Sequence, residues 1–149
     1  MFINENYRTS NYNILVGHSF GGTFAVHSLL TQPELFDAYI AISPYLDYAD
    51  SYLINQAETA LKSKYKSHKN FYMTVGDEPD YFEPLEKFST LVKEKSGDAI
   101  SFSYHKMLDE DHGSIPYISL YKGVQFAFAD WQLTKETFMA GLDAIDKHY

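Results

Sequence analysis

The sequence contains no cysteine. Disulfide bonds, thiolate nucleophiles and cysteine-ligated zinc are therefore excluded, and the redox state of the compartment leaves no trace in the chain. Basic residues are also scarce: 12 Lys and Arg stand against 20 Asp and Glu, a formal net charge of −8. Nucleic-acid binding needs clustered positive charge to displace counterions from phosphate, so no nucleic-acid partner is expected. An anionic membrane surface is disfavoured for the same reason, and no apolar run approaches the ~18 residues that span a bilayer. The opening MFINENYRTSN has no basic segment followed by an apolar stretch and does not read as a secretory leader. The chain reads as soluble, with its compartment undetermined. No repeat, linker or low-complexity run divides residues 1–149, and a chain of this length buries about 70% of its unfolded surface in a single domain.

What the sequence does contain is an alternation of apolar runs with amphipathic stretches. Asn13 to Gly17 (NILVG) is a short continuous apolar run, as expected of a strand covered on both faces. A helix is predicted from Gly21 to Thr31, burying Phe24, Ala25, Leu29 and Leu30 and stopped by Pro33. Tyr39 to Ile42 reads as the second strand. Leu53, Ala57, Leu61 and Tyr65 recur at steps of four and predict a helix over 50–66. FYMTVG is the third strand, and a helix over 81–95 follows it, with Leu85, Phe88, Leu91 and Val92 on one side and Gly97 beyond its end. Ile100 to Leu108 alternates apolar and polar residues, which suggests an edge strand. A last apolar helix runs through Trp131, then a shorter amphipathic one holds Phe138, Leu142 and Ile145. Strands alternating with helices predict an α/β class, a three-layer α/β/α sandwich around a mostly parallel sheet of about four strands.

Between the first strand and its helix stands Gly17-His18-Ser19-Phe20-Gly21, a match to G-x-S-x-G. In such a turn the central residue adopts strained backbone angles, small residues two before and two after relieve crowding, and the serine hydroxyl is lifted above the sheet edge. The backbone N–H of Phe20, at the helix start, is then aimed at a developing oxyanion, where one donor contributes ~3 kcal/mol. The competing interpretation is a glycine-rich turn without chemistry. A serine nucleophile needs a base within hydrogen-bond reach. Of the six histidines, His18, His27, His68, His105, His112 and His148, only His112 lies in a loop directly after the last strand, within DEDHGSIP. There Gly113 would permit an unusual backbone turn and Pro116 would start the next helix. A third group should orient that histidine, and the loop after the third strand offers Asp77, Glu78, Asp80 and Glu83. Asp80 and Glu83 also fit a capping box with Asp80 as the N-cap, whereas Glu78 has no such structural role. A hard cation is disfavoured, because the glycine-centred calcium loop is missing. The order serine, acid, histidine is that of the α/β-hydrolases.

The segments YRTSNYNILVGHSFGG, AYIAISPYLDY, FYMTVGDEPDYFEPLEKF and LDEDHGSIPYISLYKGVQFAF together resemble the esterase branch of the α/β-hydrolases, the group that includes esterase D-like, feruloyl and ferric-enterobactin esterases. They cover most of residues 7–128. The resemblance implies a serine hydrolase cleaving carboxylic esters of small molecules through an acyl-enzyme, without cofactor or metal. Ser19 would be the nucleophile, His112 the base and Glu78 the acid, with Asp80 second. His18, Tyr45 and Asp47 would line the substrate cleft, though an ordinary surface tyrosine is an equal interpretation for Tyr45. An acyltransferase would use the same acyl-enzyme with an alcohol in place of water. The resembled fold has eight strands, several of them before the nucleophile, and draws a second oxyanion donor from that region. The chain is therefore expected to be the C-terminal part of a catalytic domain, cut at both ends. That expectation leaves open a non-catalytic fragment or interaction module. It also leaves the first strand with a bare apolar edge, which predicts homo-oligomerisation, measurable as a light-scattering mass above that of one chain.

Overall fold

A short helix not expected from the sequence, α1 (Phe2–Asn6), precedes four strands that lie side by side in chain order. These are β1 (Ile14–His18), β2 (Ala38–Ile42), β3 (Lys69–Val75) and β4 (Ile100–Lys106), all parallel. The structure is a computed structural model that describes residues 2–10, 12–62 and 65–147; His148 lies outside them. When strand order follows chain order, right-handed crossovers place every connecting helix on the same face of the sheet. Accordingly α2 (Phe20–Thr31) packs on β1 and β2, α3 (Tyr48–Ala60) lies between α2 and α4 (Pro79–Lys95), and α4 reaches β4. The opposite face is covered by α5 (Ile115–Ala127), which packs on β2 and β3.

Side chains that alternate along β2 and β3 feed these two layers. Tyr39, Ala41, Phe71, Met73 and Val75 face the α2–α4 layer, where they meet Val26, Leu29, Leu53, Ala57, Leu85, Phe88 and Val92. Ile40, Ile42 and Tyr72 face α5 and meet Ile115 and Phe126. Each such aliphatic or aromatic side chain contributes about 1.5–3 kcal/mol through burial. The three-layer parallel architecture expected from the alternation is the one observed. At β1 the layers are incomplete: among the described residues no strand lies beyond it, and Val16 is 41% exposed. No helix among the described residues is long and apolar enough to cross a membrane.

Several local expectations are corrected. Phe24 is exposed and Val26 is buried instead, because the α2 sequence is apolar on nearly every side and so does not disclose its inner face. The third helix ends at Ala60 rather than reaching residue 66, and its first turn, Ala49 to Ser51, is left-handed. Ser63 and Lys64 of that expected helix lie outside the described residues. The capping box at Asp80 and Glu83 does not form. Pro79 opens α4 two residues earlier than predicted, consistent with a ring that presets φ and lacks an N–H, and Glu78 occupies the N-cap position without a capping bond. β4 stops at Lys106, short of Leu108. The last predicted helix is two, α6 (Lys135–Met139) and α7 (Leu142–Asp146), broken at Gly141 with φ +94°.

Candidate active site

Because the four strands are parallel, their C-terminal ends lie along one rim of the sheet, where ligand sites of open α/β folds form. Ser19 follows β1 on this rim, with φ 57° and ψ −123°, a region that non-glycine residues rarely occupy. Its N–H donates to the carbonyl of Ile42 at the end of β2, 2.9 Å away, and its own carbonyl accepts the Thr23 N–H. The turn is tight enough that a Cβ on Gly17 would sit 2.0 Å from the Gly21 carbonyl oxygen. Gly21 itself has open space where a Cβ would be, so its contribution is its backbone, not its lack of a side chain. Phe20 opens α2, and its N–H belongs to the first turn, whose donors have no acceptor within the helix.

Glu78 and His112 meet on the same rim, with His112 Nδ1 2.5 Å from Glu78 Oε1. The Glu78 side chain is 9% exposed and that of His112 is 42% exposed. The other carboxylate oxygen, Oε2, accepts the Gly76 N–H at 3.1 Å and the hydroxyl of Ser43. Ser43 is fully buried, follows β2 directly and has φ 41°. An Nδ1 proton directed at a carboxylate leaves Nε2 of His112 with a free lone pair, the state a base requires.

The two loops that carry these side chains are joined through main chain. Met107 N–H donates to the Val75 carbonyl, and Asp77 N–H donates to the Glu110 carbonyl at 2.7 Å. The Glu110 oxygen passes so close to Gly76 that a Cβ there would lie 2.6 Å from it. Around His112 itself, Asp111 Oδ1 accepts the N–H groups of Gly113 and Ser114, while Ser114 Oγ accepts the Asp111 N–H. These main-chain donors, Ser114 first, hold the Asp111 carboxyl below its usual range. Gly113, expected to permit an unusual backbone turn, does not have a positive φ; the Asp111–Ser114 box makes the turn.

The remaining candidates divide into two groups. The His18 ring lies against that of His112, with centroids 4.5 Å apart, and its Nε2 is buried without a hydrogen-bond partner among the described residues. Burial, and then the neighbouring His112, lower the His18 pKa. Tyr45 is half-buried, edge-on to Phe20 at 5.8 Å and beside Tyr81 at 5.5 Å, and Tyr81 in turn approaches His112 at 6.0 Å. Burial, and then the Glu78 charge, raise the Tyr81 pKa. Asp47 and Asp80 are exposed and line a separate cavity with Glu83 and Lys87, which contains none of Ser19, Glu78 or His112. The structure thus brings Glu78, not Asp80, to His112. No group of three or more His, Asp and Glu side chains suited to a metal ion occurs among the described residues.

Sequence reasoning missed Ser43, Gly76, Tyr81 and Asp111. Only the last left a readable signal, since D-x-x-S ahead of an apolar run is a capping pattern. Ser43 and Gly76 act through contacts between loops that strand register alone brings together.

Residues 1–110 match the family described as "Putative esterase". The chain belongs to this esterase family. The matched residues include Ser19 and Glu78 and stop two short of His112. A siderophore enterobactin esterase of Emericella nidulans is 27% identical over 75% of this chain and 46% of its own length. Among solved structures, an IroE-like serine hydrolase from Shewanella oneidensis is similar with a TM-score of 0.77, at 27% identity over 89% of this chain and 45% of the other. A siderophore hydrolase from Aspergillus nidulans, EstB, has a TM-score of 0.70 at 27% identity, over 82% and 50%. The chain spans about half the length of these relatives, and its fold is a partial α/β sandwich of the α/β-hydrolase type.

Proposed function

We propose that this esterase-family chain carries the catalytic residues of a serine hydrolase that cleaves carboxylic esters, with Ser19 as nucleophile, His112 as base and Glu78 as the orienting acid. The observation that carries this reading is the Glu78–His112 pair on the rim where Ser19 stands in its strained turn. In the first half-reaction, His112 Nε2 takes the Ser19 proton while Oγ attacks the ester carbonyl, and the N–H of Phe20 donates to the oxyanion. Collapse of the intermediate releases the alcohol, which receives the proton from His112. Water then attacks the acyl-enzyme with His112 again as base, freeing the acid and restoring Ser19. Glu78, held by hydrogen bonds from Ser43 and Gly76, orients the imidazole and stabilises the imidazolium.

The similar siderophore esterases and hydrolases support an ester within a siderophore as the substrate class. An apolar groove of about 410 Å³ beside the serine turn, lined by Phe20, Phe24, Tyr48 and Tyr52, suits an ester with a flat or apolar body. The test is burst kinetics with a chromogenic carboxylic ester. Stoichiometric alcohol release that vanishes in Ser19→Ala and in His112→Ala supports the reading; equal release from parent and variants contradicts it.

A further inference from the structure

His18 has no part in the reaction as written, yet its ring meets that of His112 directly, whereas the other ring path from the serine turn runs from Phe20 through Tyr45 and Tyr81. Ser19 hangs from β1 and His112 from the loop after β4, three strands away, so no ladder hydrogen bond ties one to the other. Ile42 and Ser43 link the serine turn to the acid, through the Ser19 N–H and the Glu78 carboxylate. That link reaches the base only through Glu78. The ring of His18, one residue before the nucleophile, rests on the ring of His112 at 4.5 Å with their planes inclined by 42°.

We propose that His18 is a positioning residue for His112, a ring at the foot of the serine turn that holds the imidazole in place between Glu78 and Ser19. This inference rests on the assignment of His112 as base. The chemical state of His18 suits such a role. Its Nε2 is enclosed and has no acceptor among the described residues, so a second proton on the ring would bury an uncompensated N–H beside His112. The titratable groups that face it are His112 and Glu78: the His112 charge disfavours a charge on the ring, while a hydrogen bond with the His112 backbone and the Glu78 charge favour one. Burial and the His112 charge outweigh these, so the His18 pKa is lowered and a charge on the ring is disfavoured beside His112. A neutral neighbour braces an imidazolium, whereas a charged one 4.5 Å away would repel it.

The test compares the parent with His18→Gln, which removes the ring, and His18→Phe, which keeps a ring and removes its nitrogens. Two quantities are measured: the rate of Ser19 modification by a fluorophosphonate, and the proton NMR resonance of His112 Nδ1–H, moved downfield by its bond to Glu78. His18→Gln should slow modification about tenfold and broaden the His112 resonance, because a base displaced by a fraction of an ångström loses its alignment. His18→Phe should stay within about threefold of the parent and keep the resonance sharp. Parent-like behaviour of His18→Gln in both readouts overturns the proposal, as does a His18→Phe variant as impaired as His18→Gln. If the parent itself does not react, the serine-hydrolase reading fails on that observation, and the His112 resonance alone decides the role of His18.

Discussion

The turn that presents Ser19 and the loops that present Glu78 and His112 are held by different forces. The serine turn is fixed by backbone geometry: a strained φ of 57°, a close crossing of Gly17 with Gly21, and the Ser19 N–H bond to Ile42. The acid–base loops share main-chain bonds and a close crossing of Gly76 with Glu110, but their functional side chains are oriented by hydrogen bonds: Ser43 and Gly76 on Glu78, and the reciprocal Asp111–Ser114 box around His112. A close backbone crossing tolerates no added atom, whereas hydrogen bonds to a side chain are lost one contact at a time. The two parts of the site should therefore fail in different ways.

The largest effect is expected on the serine side. Gly17→Ala forces a methyl group into the Gly21 backbone and should destabilise the fold by about 3 kcal/mol, measured by urea denaturation. Gly21→Ala meets nothing within 4 Å and should leave stability unchanged or raise it by up to about 1 kcal/mol through helix propensity. Equal losses from the two substitutions would show that the turn is not held by this crossing.

On the acid–base side the losses should be graded while the fold persists. Glu78→Gln removes the acceptor that fixes the His112 tautomer and should slow ester cleavage by about 10³-fold. Ser43→Ala removes one hydrogen bond to the carboxylate and should slow it about tenfold. Asp80→Asn should leave the rate unchanged, since Asp80 lies in a different cavity. A rate lost in Asp80→Asn and retained in Glu78→Gln would reverse the assignment of the acid.

The smallest expected effect is a pH dependence seated at His18. Its pKa is lowered in the folded state, so the unfolded chain binds more protons between the folded value and the ordinary histidine value. Stability from this group is present above the ordinary value and declines as pH falls through that window. His18→Phe should flatten this part of the stability curve, and an unchanged curve would show that His18 is not held neutral.

The sequence discloses the framework better than the site. Apolar runs and four-residue steps marked the strands and most helices because those periods report local burial. G-x-S-x-G and the post-strand histidine were legible because each depends on a short segment in a known place. Position alone leaves several carboxylates after the third strand, and the sequence preference for Glu78 over Asp80 rests on a capping pattern at Asp80 and Glu83 that the Pro79 helix start overrides. Ser43 gave no signal, since its hydroxyl matters only where the end of β2 lies beside the loop after β3. The contact of Gly76 with Glu110 and that of His18 with His112 are likewise products of tertiary register.

The most direct test of whether these elements activate Ser19 is the intact mass of the chain after exposure to a fluorophosphonate, beside its Ser19→Ala variant. The account predicts one adduct on the parent and none on the variant. Absence of an adduct from the parent, or an equal adduct on both chains, would contradict it.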